Sequence, residues 1–204
     1  MVAAPRDLEQ IKTWIRERGA SRVELSSERK TTGQDALDEV LGGGLEAGSI
    51  TTLEGAKGVG RTSLATSLVR EETKRGRVAW VDGEGLLYPP ALAQRGVDLS
   101  RLLLVRPKTE EGAIAAAEQI AASGGFGVVV ISGLDVALTP VRMRRIQLAT
   151  RTAGIATVLV LGEKTKISAD LALVVRRRAN QIVAETRRSR TGLVGRKVTL
   201  ALAG

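Results

Sequence analysis

The sequence predicts an α/β fold with a mainly parallel sheet, flanked by helices and extended by antiparallel strands near its C-terminal end. Short apolar runs at residues 78–81, 102–105 and 128–131 alternate with segments of helical periodicity. Such alternation is typical of buried parallel strands joined by crossover helices. A further strand-like run, residues 50–53, leads through a glycine-rich loop into an apolar-periodic helix. Ligands of this fold class bind beyond the carboxyl ends of the strands.

The antiparallel extension is predicted from residues 171–175, 182–186 and 198–202, which follow one another too closely for crossover helices. We expect turns near residues 179–180 and 192. Three arginines should then fall at the first turn and three at the second. Successive turns lie at opposite ends of antiparallel strands, so hairpin geometry alone should keep these two groups apart.

The glycine-rich loop follows the pattern G-x-x-x-x-G-K-[ST], which cradles phosphate at a helix N-terminus and places a hydroxyl on Mg²⁺. Gly55, Gly60 and Thr62 fit this pattern, but Arg61 stands at the lysine position. The exchange is not conservative, because a planar guanidinium prefers bidentate partners. An inherited tight turn between sheet and helix is the alternative interpretation. The candidate phosphate-loop residues are Gly55, Lys57, Gly58, Gly60, Arg61 and Thr62.

The composition limits the chemistry that the chain can perform. The 204 residues include no cysteine and no histidine, which excludes disulfides, thiol nucleophiles and histidine acid–base catalysis, and no metal site is predicted. Aromatic residues make up 2%, a poor supply for stacking on bases. The first residues lack the order of a signal peptide, and no apolar run approaches a membrane span. We therefore expect a cytoplasmic protein with no membrane partner.

Positive charge is concentrated in the last third of the chain. The formal net charge is +9, and residues 1–139 hold 17 basic and 19 acidic side chains, whereas residues 140–204 hold 14 and 3. This asymmetry indicates an acidic partner, either nucleic acid or a protein face, or else a solvated surface without a dedicated ligand. The candidate patch comprises Arg142, Arg144, Arg145, Arg176, Arg177, Arg178, Arg187, Arg188 and Arg190.

Residues 1–30 are predicted to form an N-terminal amphipathic helix and a polar connector, ahead of a core domain at residues 31–204. Leu8, Ile11, Trp14 and Ile15 have helical spacing and form one apolar stripe. This interaction helix can pack on its own sheet, on a second copy of the chain or on another protein. Self-association is therefore one predicted outcome.

Two stretches carry a family resemblance. TTGQDALDEVLGGGLEAGSITTLEGAKGVGRTSLA and WVDGEGLLYPPALAQRGVDLSRLLLV resemble the RecA core in the order of strand, acidic turn, helix and strand. The Tyr-Pro-Pro phrase followed by RLLLVRP is similar to the ImuA family, whose members are RecA-like accessory proteins of the bacterial SOS mutagenesis cassette. The resemblance covers about residues 31–204 and implies a RecA-like P-loop NTPase core.

The resemblance also implies roles for single residues. Glu84 stands where the family places the carboxylate that activates water, and it is the vestigial catalytic candidate. Thr62 stands at the Mg²⁺ hydroxyl. Ser132, however, replaces the Walker-B aspartate that helps to hold Mg²⁺, and Asp135 would need a different backbone path. With Arg61 at the lysine position, two parts of the phosphoryl-transfer machinery are missing. No cofactor is therefore predicted, and Mg-ATP stays the candidate that the resemblance implies.

The resemblance implies the first of three functions, and the residue patterns leave two others open. The first is a non-catalytic RecA-like accessory protein that contacts an ImuB-type polymerase homologue, and RecA as a second partner, in SOS-induced translesion synthesis. The second is a small DNA-stimulated ATPase in which Arg61 or Lys57 does the work of the missing lysine. The third is a DNA-binding protein that uses its basic third, although the shortage of aromatic residues predicts weak binding. The missing lysine and aspartate favour the first.

Overall fold

The computed structural model describes residue 13 and residues 29–133, 139–153, 157–163 and 167–201. The predicted interaction helix with Leu8, Ile11, Trp14 and Ile15 lies outside the described residues, as does Asp135. The proposed boundary near residue 30 therefore stays a prediction.

Residues 29–133, 139–153, 157–163 and 167–201 form ten strands and five α-helices, which alternate between residues 50 and 162. Its first half contains β1 (Arg29–Lys30), α1 (Asp35–Leu41), β2 (Leu45–Glu46), β3 (Ile50–Glu54), α2 (Arg61–Thr73), β4 (Val78–Asp82), α3 (Pro89–Gln94), a 3₁₀ turn (Leu99–Arg101) and β5 (Leu102–Val105). Its second half contains α4 (Glu110–Ala122), β6 (Val128–Ser132), α5 (Pro140–Ala153), β7 (Thr157–Gly162), β8 (Leu171–Arg178), β9 (Gln181–Ser189) and β10 (Lys197–Ala201).

Eight strands form one mixed sheet in the order β10-β9-β8-β3-β7-β6-β4-β5. Pairing is parallel from β8 to β5 and antiparallel from β8 through β9 to β10. The predicted α/β class is thereby confirmed. β3, which leads into the glycine-rich loop, lies between β7 and β8, so that the loop emerges near the middle of the sheet.

The placement of the C-terminal arginines differs from the prediction. Residues 176–178 lie on β8, and Arg187 and Arg188 lie on β9, rather than in turns. For residues 176–178 the reason is the tightness of the first turn, which consists of Ala179, with φ of 49°, and Asn180, so that strand pairing continues as far as residue 178. Arg187 and Arg188 lie on β9 because its pairing with β8 continues as far as Ser189. The two groups nevertheless lie at opposite ends of the hairpin.

Apolar side chains cover both faces of the parallel strands. On β4, Ala79 and Val81 belong to the cluster beneath α4 and α5, whereas Val78 and Trp80 belong to the cluster beneath α1, α2 and α3. Because successive residues point to opposite faces and both faces are buried, these strands read as continuous apolar runs. The face with α2 carries the glycine-rich loop.

Asp170 joins three segments at the amino end of the sheet. Its carboxylate accepts the backbone N–H of Ile50 at 3.0 Å and also binds Arg151 at 3.1 Å and Arg190 at 3.6 Å. This buried carboxylate holds the start of β3 beside β8.

The described residues contain no helix that is both long enough and apolar enough to cross a membrane.

Candidate functional site

The glycine-rich loop runs from the end of β3 to the first turn of α2. A Cβ on Gly55 would lie 2.3 Å from the carbonyl oxygen of Val175 on β8, so the loop is packed directly against the neighbouring strand. Gly58 and Gly60 have φ of 81° and 103°, values that glycine adopts without strain. Gly60 is the N-cap of α2. The glycines thus allow the backbone to curl at the helix N-terminus, as an anion-binding loop requires.

A cleft of about 500 Å³ opens beside this loop at the carboxyl ends of the parallel strands. It is bounded by the loop, the first turn of α2, the ends of β4 and β6, and α3. Its charged side chains are Lys57, Arg61, Asp82, Glu84, Arg95 and Arg177. Most of the predicted phosphate-loop residues therefore line one cavity, together with Glu84.

Glu84 and Lys57 form an ion pair across the mouth of this cleft, with 2.9 Å between Lys57 Nζ and Glu84 Oε1. Gly133, which follows β6, lies so close to Glu84 that an added Cβ would be 2.7 Å from its backbone nitrogen and its Cγ. The backbone of the β6 loop thus holds Glu84 beside the glycine-rich loop. The ammonium group of Lys57 offsets the charge of this carboxylate.

Ser132 at the end of β6 accepts a hydrogen bond from the indole Nε1–H of Trp80, at 3.0 Å. Trp80 is fully buried, and both residues lie on the sheet face that carries α2. The indole N–H therefore finds its partner in the hydroxyl at the strand end. The Walker-B aspartate of the RecA-like pattern would place a carboxylate at this position, facing the cleft. Here the position carries the neutral hydroxyl of Ser132 instead.

Comparison with known proteins identifies the relationship. The model of the RecA N-terminal domain matches residues 10–196. The chain belongs to the RecA N-terminal domain family. It is 38% identical to Protein RecA of Crocosphaera subtropica over 122 residues, 59% of this chain and 34% of that protein. It is 39% identical to Protein RecA of Paracoccus denitrificans over 124 residues, 60% of this chain and 35% of that protein. The matched segment thus spans about a third of these relatives.

A phosphate-loop site of this kind implies Mg²⁺, which a loop hydroxyl and a Walker-B aspartate help to hold. Thr62 is exposed in the first turn of α2 and can offer the hydroxyl. Ser132 offers no charge, and its hydroxyl already accepts the N–H of Trp80. The residues of this cleft therefore do not fit a divalent cation, although its loop and arginines fit a phosphate group.

Asp82 is a cleft residue that the sequence patterns did not single out. It is buried at the end of β4, where its Oδ2 accepts the backbone N–H of Leu87 at 2.9 Å and lies 3.6 Å from Arg106 Nε. These contacts fix the segment between β4 and α3, which forms one wall of the cleft. The sequence did contain a signal for this residue, since an acidic residue directly after a buried apolar run lies at the end of a strand.

The structure divides the predicted arginine patch among three places. Arg142, Arg144 and Arg145 lie at the start of α5, residues 176–178 at the carboxyl edge of β8, and Arg188 and Arg190 towards the opposite edge. Alternation along β8 places Arg177 on the face of Leu173 and Val175, where it lines the cleft. Arg187 lines a second cavity together with Arg176 and Arg177, so on this hairpin only Arg188 and Arg190 lie apart from that group.

Several of these arginines form ion pairs with acids of the same chain. The pairs are Arg142 with Glu111 at 4.0 Å, Arg176 with Glu185 at 2.7 Å, Arg187 with Glu54 at 2.7 Å and Arg190 with Glu46 at 2.6 Å. The hydrogen bond from Arg176 holds the pKa of Glu185 below its ordinary value, with Lys197 adding to the effect. These arginines therefore form ion pairs within the fold in addition to contributing positive charge to the surface.

Proposed function

We propose that this RecA-like chain is a non-hydrolytic accessory protein of SOS-induced translesion synthesis and mutagenesis. It acts by contacts with an ImuB-type polymerase homologue and with RecA. The observation that carries the proposal is the Trp80 to Ser132 hydrogen bond at the position of the metal-binding acid. Phosphoryl transfer depends on positioning and charge stabilisation, so a site that lacks this acid and the loop lysine has lost two of its parts.

Sequence features outside the phosphate loop support the proposed partner. The Tyr-Pro-Pro phrase places Pro89 and Pro90 in the first turn of α3, and leaves the side chain of Tyr88 exposed at its N-cap. The phrase that follows, RLLLVRP, covers β5 and its exit from the sheet. These are the segments that resemble ImuA, and they belong to the edge of the sheet beyond β4.

The proposal is tested by purifying the protein with the ImuB-type homologue of the same organism, with and without ATP. We expect a stable complex in both conditions and ATP hydrolysis at the background rate, because Arg61 and Ser132 replace two catalytic parts. The control is Glu84→Gln, which should change neither result. Failure to form the complex would refute the proposed partner, and loss of a measurable hydrolysis rate in Glu84→Gln would refute the absence of turnover.

An ATPase is the second candidate, since Glu84 and Lys57 do lie beside the phosphate loop. Their ion pair argues against it in one respect. The Oε1 oxygen of Glu84, which would accept a proton from water, already accepts a hydrogen bond from Lys57 at 2.9 Å. DNA-stimulated hydrolysis that Glu84→Gln abolishes would make this candidate the leading one.

Weak DNA binding through the basic third is the third candidate. Arg144 and Arg145 have no acidic partner in the described part of the chain and lie at the start of α5. We expect the double variant Arg144→Ala, Arg145→Ala to reduce the slope of log affinity against log salt by about one to two, since each neutralised phosphate of duplex DNA contributes about 0.9. Mobility-shift titrations over a range of salt concentrations measure this slope.

The matched control is Arg188→Ala, an exposed arginine on β9 towards the opposite edge of the sheet. It should leave the slope unchanged if DNA runs along the start of α5. Equal effects of the two substitutions, or no binding even at low salt, would contradict this surface.

A further inference from the structure

Positive charge exceeds negative charge in the cleft beside the glycine-rich loop. Both cleft acids are already engaged, Glu84 by Lys57 at 2.9 Å and Asp82 by the N–H of Leu87 and the guanidinium of Arg106. The guanidinium groups of Arg61, Arg95 and Arg177 have no ion-pair partner within residues 29–133, 139–153, 157–163 and 167–201.

These three arginines come from separate elements around the cleft. Arg61 is the first residue of α2, Arg95 follows α3, and Arg177 is near the end of β8. All three line the same cleft as the glycine-rich loop. Guanidinium groups bind phosphate oxygens by paired, charge-assisted hydrogen bonds, so this arrangement is suited to a group with several phosphates.

Exposed apolar and aromatic side chains also line this cleft. Leu86 and Tyr88 are 73% and 66% exposed, and both line the same cleft. Exposed apolar and aromatic side chains beside a phosphate site provide a surface on which a base can stack. The chain has one tyrosine, and it is one of these side chains.

We propose that the cleft binds a nucleoside triphosphate without a divalent cation, with Arg61 and Arg177 neutralising the phosphate charge that Mg²⁺ would otherwise offset. The Trp80 to Ser132 hydrogen bond occupies the position from which an acid would hold the metal. The proposal rests on the proposed function in one respect, the absence of turnover. It adds that a bound nucleotide is retained as a structural ligand rather than consumed.

The test is calorimetric titration of the full chain with ATP in excess EDTA and in excess MgCl₂. We expect the dissociation constant in EDTA to equal that in Mg²⁺ within about threefold, or to be lower, since free ATP carries more negative charge than Mg-ATP. Binding that requires Mg²⁺, or no binding in either condition, would overturn the proposal.

Two variants and a matched control locate the phosphates. Arg61→Ala and Arg177→Ala should each weaken ATP binding in EDTA by roughly tenfold or more, the loss expected for a charge-assisted hydrogen bond. Arg188→Ala removes an exposed arginine of the adjacent strand that does not line the cleft, and should have no effect. An equal loss in all three variants would show non-specific charge attraction and overturn the assignment.

Inorganic triphosphate distinguishes a nucleotide from phosphate alone. Tyr88→Ala should weaken ATP binding by about tenfold through lost stacking and leave triphosphate binding unchanged. If ATP and triphosphate bind equally and Tyr88→Ala changes neither, the nucleoside part of the proposal is wrong. Hydrolysis is followed in the same samples, where turnover would refute the proposed function, and Mg²⁺-dependent binding without turnover would refute this inference alone.

Discussion

Replacing Arg187 by alanine is expected to lower the free energy of unfolding by about 2–3 kcal/mol, the loss typical of a hydrogen bond to a charged group in a partly buried pair. Its guanidinium lies 2.8 Å and 2.7 Å from the two carboxylate oxygens of Glu54. Glu54 is 3% exposed in its side chain, whereas that of Arg187 is 53% exposed. The substitution removes a partner from a buried charge, and denaturant unfolding measures the cost.

Two further variants test whether loss of the ion pair with Glu54 causes this decrease in stability. Arg188→Ala, next in sequence but exposed and without an acidic partner among the described residues, should change stability by less than about 0.5 kcal/mol. Adding Glu54→Gln to Arg187→Ala should recover part of the loss, because the buried charge is then removed. Similar losses for Arg187→Ala and Arg188→Ala would contradict a specific role of the ion pair.

Replacing Gly55 by alanine is expected to cost about 3 kcal/mol of stability, near the upper end for overpacking a well-packed site. The new Cβ would lie 2.3 Å from the carbonyl oxygen of Val175 and 3.0 Å from the Cγ2 of Val59. The first contact is with backbone inside a sheet, which cannot move aside without breaking the pairing of β3 with β8. Thermal or denaturant unfolding measures the change.

Gly58→Ala is the matched control within the same loop. Nothing lies within 4 Å of a Cβ at Gly58, but its φ of 81° makes alanine strained there, at a cost of about 1 kcal/mol. The difference between the two variants isolates the steric contact with β8. Equal losses would show that backbone strain alone decides both, and that the loop is not packed tightly against the strand.

Local patterns were sufficient for most of the fold. The strand Leu102–Val105 was predicted to the residue, since an apolar run marks its limits. The ribbon of β1 and β2 was largely missed because strands of two residues show no periodicity. β8 also differed in part, since it pairs in parallel with β3 on one side and antiparallel with β9 on the other.

Local sequence patterns were enough to predict the α/β class, the phosphate-type loop, the arginine in place of lysine and the serine in place of a metal-binding acid. Each of these features is encoded by residues that lie next to one another in the sequence. The contacts that Ser132 and Arg187 make, by contrast, depend on the tertiary structure. The partners Trp80 and Glu54 are 52 and 133 residues away in sequence. The mixed sheet brings each pair together, because its strand order is not the order of the chain.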